Sequence, residues 1–263
     1  MPTLFLPMTI ALKSSEEIQI LKEGGTRHAE ILRTLAGMVK PGISTLFLEE
    51  EARRLIREGG DLPAHLGYTP YGAPRPFPAA LCVSVNDEIV HGIPNEKPKI
   101  LNQGDVVKID LSLIHKKLFT DSAITVGVGA MDDEAEKLMS VTKEALMAGI
   151  LAAQPGAHIG DIGAAISESV KPSGFSLAKD LVGHGVGYKI HEEPYVPNEG
   201  KRGQGEKLVP GMVFAIEPMV NTGKPNWKTL ADGYTISTKD GSRSAHFEHT
   251  VAITEKGNII LTS

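Results

Sequence analysis

Apolar residues recur at helical spacing in two stretches near the start of the chain. Between residues 14 and 39 they fall on one helical face, and Ser14 with Glu17 fits a capping box. A Pro-Gly pair ends this stretch, and a second helix is predicted over residues 44–58. Two later helices are predicted over residues 132–153 and 159–170.

Strand-like apolar runs follow each pair of predicted helices. Residues 61–79, rich in Pro, Gly and Tyr, are predicted to form a loop. This order predicts one α+β domain with a mostly antiparallel sheet, covering residues 14–263 after an N-terminal extension of residues 1–13. The predicted strands are residues 80–85, 105–114, 118–126, 213–220, 234–237, 246–253 and 259–261.

The composition is that of a globular protein, with 263 residues, 41% hydrophobic and 22% charged. The net charge of −5 argues against binding to a phosphate backbone, so no direct nucleic-acid partner is predicted. Cys82 is the sole cysteine, which excludes an intrachain disulfide and a cysteine-based zinc site. Since no signal peptide or membrane span is recognisable, we expect a cytoplasmic protein without membrane association.

Two aspartates fall on consecutive predicted strands. If the turn is centred between His115 and Lys116, then Asp110 lies directly opposite Asp121, with Cβ atoms roughly 4.5–5.5 Å apart. Two carboxylates that meet between apolar flanks repel one another unless they share a proton or bind cations. The alternative is a register shifted by one residue, or a pair that faces solvent.

Three more candidates lie in unusual surroundings. Glu217 and Glu248 each interrupt an apolar run, where a charge is costly unless it is paired or bound to a metal. His184 lies in the Gly-rich segment 183–187, where glycines would let the backbone approach a ligand. A structural ion pair for each glutamate and a surface loop position for the histidine are the alternatives. Together, four acids and one histidine favour harder divalent ions such as Mn or Fe(II), with Co also suitable.

In order and context, these residues resemble the metal ligands of the type I methionine aminopeptidases. The resemblance covers nearly the whole chain from about Ser14, and its most specific strings are residues 84–94, 183–194, 216–219 and 247–250. It implies the pita-bread fold, a pseudo-twofold antiparallel sheet flanked by helices. It also implies removal of the initiator methionine from nascent proteins whose second residue is small.

The resemblance implies two divalent metal ions per chain, of Co, Mn or Fe(II). Asp121 and Glu248 would bridge both ions, Asp110 would hold one, and His184 with Glu217 would hold the other. Two ions bridged by carboxylates lower the pKa of a shared water and polarise a carbonyl.

The resemblance also implies catalytic and substrate-binding residues. Glu217 would take part in proton transfer, and His91 and His191 would hydrogen-bond the substrate and the developing tetrahedral species. Cys82 and Tyr234 occupy positions near the expected methionine pocket, although Cys82 could equally be a small buried apolar residue. The chain departs from the usual family pattern near this pocket at the long loop of residues 67–81, at Ile190 and at Tyr234.

Two other functions remain open at this point. A Xaa-Pro peptidase of the same fold is one, although such chains usually carry a separate N-terminal domain. A non-catalytic binding module is the other, but such a chain should lack one or more ligands. Type I is favoured over type II because only 26 residues separate His191 from Glu217, too few for the type II insertion. The resemblance further implies nascent chains as partners, a ribosome contact and a monomer.

Overall fold

The computed structural model describes residues 10–263, so most of the predicted N-terminal extension, residues 1–9, lies outside the described residues. Among the described helices, none is both long and apolar enough to cross a membrane. The helices are α1 (Ser15–Met38), α2 (Thr45–Glu58), α3 (Asp133–Ala152) and α4 (Ile159–Val170). The strands of this part of the chain are β1 (Leu62–Pro63), β2 (Leu81–Val85), β3 (Glu88–Val90), β4 (Val106–His115), β5 (Leu118–Gly127), β6 (Ser176–Leu177), β7 (Val182–Gly185), β8 (Glu192–Pro197), β9 (Val213–Ile216), β10 (Met219–Asn221), β11 (Trp227–Thr229), β12 (Ile236–Thr238), β13 (Ser244–His246), β14 (Glu248–Thr254) and β15 (Gly257–Ile260).

All four predicted helices are confirmed, with ends within one residue of those expected. The capping box at the start of α1 is present. The Ser14 hydroxyl accepts the amide of Glu17 at 3.2 Å, and the Ser14 amide donates to the Glu17 carboxylate at 2.8 Å. Asp132 caps α3 by accepting the amide of Ala135 at 2.9 Å. Local signals therefore fix where these helices begin.

A nine-stranded antiparallel sheet forms the centre of the fold. Its main path runs β1-β4-β5-β14-β9-β7-β8, while β2 pairs with β4 and β15 pairs with β14. Two three-stranded sheets, β13-β10-β6 and β11-β12-β3, complete the described architecture. The prediction of an α+β fold with a mostly antiparallel sheet is confirmed.

Each pair of helices covers its own half of the central sheet. On β4, alternate residues such as Ile109 and Leu111 pack into an apolar cluster with Leu35 of α1 and Leu48 of α2. A separate cluster joins α3 and α4 to β9 and β14. Since side chains on a strand alternate between faces, Asp110 points away from the helices. The helices therefore support one face of the sheet and leave the other for polar groups.

The β4–β5 hairpin has a different register from the one predicted. Lys116 and Lys117 both have positive φ values, 46° and 72°, and form a two-residue turn. Asp110 is therefore opposite Ala123 and not opposite Asp121. The predicted pairing is wrong by two residues. Because a shift of two preserves the face, both carboxylates still lie on the same side of the sheet.

Two of the predicted strands are each divided between two sheets. The run 213–220 is broken at Glu217-Pro218, so that β9 belongs to the central sheet and β10 to a small one. The run 246–253 is broken at Phe247 between β13 and β14 in the same way. Pro218 has no backbone N–H to continue a ladder. The chain thus crosses between sheets at both places where an acid interrupts an apolar run.

Smaller differences concern short elements. The predicted strand 234–237 begins at Ile236, and the predicted strand 259–261 begins at Gly257. The loop 61–79 contains the two-residue strand β1. The structure also has β3, β6, β7, β8 and β11, which the sequence did not predict. These strands are two to six residues long, too short for an apolar periodicity to be recognised.

Candidate active site

The five predicted ligands converge on a single cavity of about 480 Å³. They reach it from different elements: Asp110 from β4, Asp121 from β5, His184 from β7, Glu217 from the β9–β10 break and Glu248 from the start of β14. The predicted catalytic histidines, His91 and His191, line the same cavity. Residues spread over 158 positions of the chain are thus brought together by the curvature and breaks of the sheets.

Side-chain donor atoms surround a common point in this cavity. His184 Nε2 lies 3.7 Å from Asp121 Oδ2 and 3.4 Å from Glu217 Oε1. Donor atoms of Asp121, His184 and Glu248 all lie within 4.8 Å of one another. A separation of 3.7 Å is too long for a direct hydrogen bond but suits two ligands of one ion.

The orientation of His184 is fixed by its neighbours. Its Nδ1–H donates to the carbonyl of Gly185 at 3.0 Å, which leaves the lone pair of Nε2 directed at the carboxylates. A Cβ atom at Gly183 would lie 2.3 Å from the carbonyl oxygen of Ala215, and one at Gly185 would lie 2.2 Å from that of Glu193. The glycines therefore allow β7 to pack against β9 and β8. The interpretation that they bring the backbone close to a ligand is replaced by this strand packing.

The clustered acids have strongly perturbed protonation. Burial raises the pKa of Asp110 to about 7. The pKa values of Asp121, Glu217 and Glu248 are raised well above their usual range, first by burial and then by mutual repulsion. Asp121 Oδ1 and Glu248 Oε1 are buried and have no hydrogen-bond partner among the described residues. Buried oxygens of this kind are costly without a cation, so the donor set fits divalent metal ions.

The two predicted catalytic histidines border the carboxylates. His91 follows β3 in a left-handed conformation, with φ 58°, and burial lowers its pKa to about 4. His191 lies at the exposed mouth of the cavity, where partial desolvation lowers its pKa to about 4. Its Nδ1 is 2.9 Å from the hydroxyl of Tyr68, and its ring meets that of His184 edge-on at 4.3 Å. Both histidines are therefore neutral at pH 7.

The predicted pocket residues lie beside the cavity. Cys82 and Tyr234 belong to an apolar cluster with Phe77, whose ring meets that of Tyr234 edge-on at 5.1 Å. His65 lies between this cluster and the cavity: its ring is 5.9 Å from that of Phe77, and it lines the cavity itself. The long loop contributes Tyr68 and two further lining residues, Pro70 and Tyr71. Contact of Cys82 and Tyr234 with substrate stays a prediction.

Two histidines of this region, His65 and His246, were not among the predicted site residues. His246 Nε2 lies 3.6 Å from Glu217 Oε2 and 3.9 Å from Glu248 Oε2. Its position two residues before Glu248 was the available signal, because alternate strand residues share a face. His65 had no such signal, since it lies in an irregular loop whose path depends on tertiary contacts.

The two acids that follow His191, Glu192 and Glu193, lie in a strand. Glu192 begins strand β8, and its carboxylate pairs with the ammonium of Lys13. The Lys13 side chain is fully buried, so the segment just before α1 is attached to the cavity region. Sequence alone gave no partner for Glu192, because the two residues are 179 positions apart.

Residues 19–255 match the family model of metallopeptidase family M24. The chain belongs to this family. It is 48% identical over 259 residues to a methionine aminopeptidase from Aquifex aeolicus, covering 97% of this chain and 99% of that protein. It is 44% identical to methionine aminopeptidase 1 of Bacillus subtilis, covering 96% and 99% of the two chains. The resemblance to the methionine aminopeptidases is thereby confirmed.

Solved structures support the same assignment. The crystal structure of a Thermotoga maritima methionine aminopeptidase is similar with a TM-score of 0.92 and 40% identity, covering 97% of this chain and all of that one. A prolidase from Pyrococcus furiosus is similar with a TM-score of 0.74 but 22% identity, and 65% of its chain is covered. The second likeness concerns the fold alone. The pita-bread fold and a metallopeptidase activity that depends on divalent metal are therefore established for this family member.

Proposed function

We propose that this chain is a methionyl aminopeptidase, a hydrolase that removes the initiator methionine from nascent proteins when the second residue is small. The observation that carries this proposal is the convergence of four acids and His184 in one cavity of a chain 48% identical to a methionine aminopeptidase. A cavity of about 480 Å³ suits one end of a peptide.

We propose two divalent ions per chain, with Co, Mn or Fe(II) as candidates. The buried oxygens Asp121 Oδ1 and Glu248 Oε1, which have no hydrogen-bond partner among the described residues, support these two carboxylates as ligands that would hold the ions. Asp110 would complete one site, and His184 with Glu217 the other. When bound, such ions polarise the scissile carbonyl and lower the pKa of the attacking water.

The remaining chemistry falls to side chains. Glu217 lies with Oε1 toward His184 and Oε2 toward His246. Its carboxylate is thereby placed in the cavity, where it can accept a proton from water and return it to the leaving amine. The hydroxyl of Tyr68 lies 2.9 Å from Nδ1 of His191. In the tautomer in which this hydroxyl donates to Nδ1, the Nε2–H of His191 is free to donate toward the developing oxyanion. His91, neutral and partly buried, lines the same cavity and would hydrogen-bond the substrate there.

An Xaa-Pro peptidase activity is less well supported. The prolidase and dipeptidase structures of the same fold are 20–22% identical to this chain, and it covers 60–65% of their length. A non-catalytic binding function is also disfavoured, because all five predicted ligands reach one cavity.

A peptide panel distinguishes these functions. The Mn²⁺-loaded protein should release Met from Met-Ala-Ser and leave Ala-Pro-Ser intact, and chelation should abolish the release. Asp110→Asn should lose activity while retaining its circular dichroism spectrum. Release of the first residue from Ala-Pro-Ser, with Met-Ala-Ser intact, would reverse the assignment.

The cellular setting follows from the same proposal. A methionine-removing enzyme meets its substrates as they leave the ribosome, so we propose nascent chains as partners, a ribosome contact, a cytoplasmic location and a monomer. We also propose residues 14–263 as one catalytic domain. Ile10 packs against an apolar cluster and the side chain of Lys13 is buried. Both contacts support an N-terminal extension whose last residues are attached to this domain.

A further inference from the structure

A second group of metal-binding side chains lies in the wall of the cavity. Donor atoms of His65, Cys82 and Asp110 lie within 4.8 Å of one another, and all three residues are buried. Cys82 and Asp110 are directly opposite one another on β2 and β4. His65 Nδ1 is 3.9 Å from Cys82 Sγ. Zinc bonds of about 2.0–2.3 Å in a tetrahedron place nitrogen and sulfur donors about 3.6 Å apart, close to this separation.

Ser112 orients the ring of His65. The Ser112 hydroxyl lies 2.9 Å from Nε2 of His65, within hydrogen-bond distance. With the ring proton on Nε2 and shared with Ser112, neutral His65 presents the lone pair of Nδ1, the atom that faces Cys82. Neighbours that fix a ligating histidine in this way are typical of metal sites.

The two donor groups differ in chemistry. The group of Asp121, His184 and Glu248 offers oxygen and nitrogen, whereas that of His65, Cys82 and Asp110 includes a thiol. Thiolate ligands favour Zn²⁺ and the softer Cd²⁺ over Mn²⁺. Asp110 has two carboxylate oxygens, so it can contribute one to each group.

We propose that His65, Cys82 and Asp110 form a separate thiophilic metal site that binds Zn²⁺ or Cd²⁺. His65 and Asp110 line the cavity, which gives the ion access from solvent and leaves a fourth position for water. On binding, the Cys82 proton leaves to solvent as the thiolate–metal bond forms. An ion bound in this wall would narrow the part of the cavity beside the acids and would hinder the entry of a peptide. This inhibitory effect rests on the proposed function, whereas the existence of the metal site does not.

The test uses the absorbance of the thiolate itself. Full-length protein is equilibrated with Mn²⁺ and titrated with Cd²⁺, while the ultraviolet charge-transfer band of a cadmium thiolate is followed. Because Cys82 is the sole cysteine, any band reports this residue. We expect a band that saturates at one Cd²⁺ per chain and is absent in Cys82→Ser. The readout does not depend on peptidase activity, so its failure is distinct from failure of the proposed function.

Histidine variants show whether Cys82 acts alone. His65→Gln should weaken Cd²⁺ binding at least tenfold. Ser112→Ala should do the same, because it removes the hydrogen-bond partner of His65 Nε2 without removing a ligand. His158→Gln, at the N-terminus of α4, is the matched control and should bind as the wild type does. Circular dichroism checks each fold, and Ser112→Ala serves if His65→Gln fails to fold. Absence of the band in the wild type, or unchanged affinity in the folded His65 or Ser112 variant, would overturn the proposal.

Discussion

Replacing Asp110 with Asn should change how the stability of the metal-free protein depends on pH. Burial raises the pKa of Asp110 from 3.8 to about 7 in the folded state. The folded chain thus holds this proton to higher pH than the unfolded chain does. The carboxyl therefore costs stability progressively as pH rises from about 4 to about 7, and the cost is absent below the unfolded pKa. The Asn variant has no such cost.

The magnitude follows from the shift in pKa. At 1.36 kcal/mol per pKa unit, the ionised Asp110 carboxylate lowers the free energy of unfolding by about 4 kcal/mol. About 3 kcal/mol of this loss of stability develops between pH 5 and pH 8. The free energy of unfolding of Asp110→Asn minus that of the wild type should thus increase by about 3 kcal/mol over this range. Buried histidines, whose lowered pKa values act in the opposite direction, are common to both proteins and cancel in the difference. Asp121, Glu217 and Glu248 lose the repulsion of Asp110 in the variant, and this loss adds to the increase.

Urea unfolding of chelator-treated protein, followed by circular dichroism at several pH values, measures this difference. Added Mn²⁺ should reverse its sign, since the wild type gains more binding energy than the variant. A difference that stays constant from pH 5 to pH 8 would refute the reasoning, because it would mean that Asp110 is as well solvated in the fold as in the unfolded chain.

Three other outcomes are expected. Gly185→Ala should lower the free energy of unfolding by about 2 kcal/mol or more and weaken metal binding, because its Cβ would lie 2.2 Å from a carbonyl oxygen on β8. Gly37→Ala is the control, since a Cβ there would have nothing within 4 Å. In the same denaturation experiment it should stabilise α1 by about 0.5–1 kcal/mol. Lys13→Met should lower the free energy of unfolding, measured in urea, by about 3–5 kcal/mol because it leaves Glu192 with an unpaired charge. Adding Glu192→Gln to this variant should restore part of the lost stability. Additive losses of stability in the double variant would contradict the pairing. The pH profile of kcat/KM should show no inflection from His91 between pH 6 and 8, because its pKa is about 4; an inflection near 6.5 that disappears in His91→Asn would contradict its burial.

Local patterns were sufficient for the helices and for the type of sheet. The capping residues Ser14 and Asp132 define where α1 and α3 begin, and these signals depend only on neighbours along the chain. The hairpin register was not predictable in the same way, since the side chains alone do not show that Lys116 and Lys117 adopt positive φ. The prediction that the two aspartates share one face of the sheet was still correct, because side chains alternate with a period of two and the register error was two residues.

The candidate site was visible mainly as a conflict with burial. Glu217 and Glu248 stood out because each interrupts an apolar run, and both lie where the chain crosses between sheets. His184 gave no such signal and was recognised through the family resemblance. His65 was missed because its neighbour in space, Ser112, comes from a distant part of the chain. Contacts of that kind depend on tertiary packing, which apolar periodicity does not encode.

The most direct test of the central claim combines metal analysis with a peptide assay on one sample. Protein purified without oxygen is analysed for bound metal and then mixed with Met-Ala-Ser. Our account predicts two divalent ions per chain at saturation and release of free methionine, with both lost after chelation and both restored by Mn²⁺ or Fe²⁺. A folded protein that binds two ions and leaves the peptide intact would contradict it.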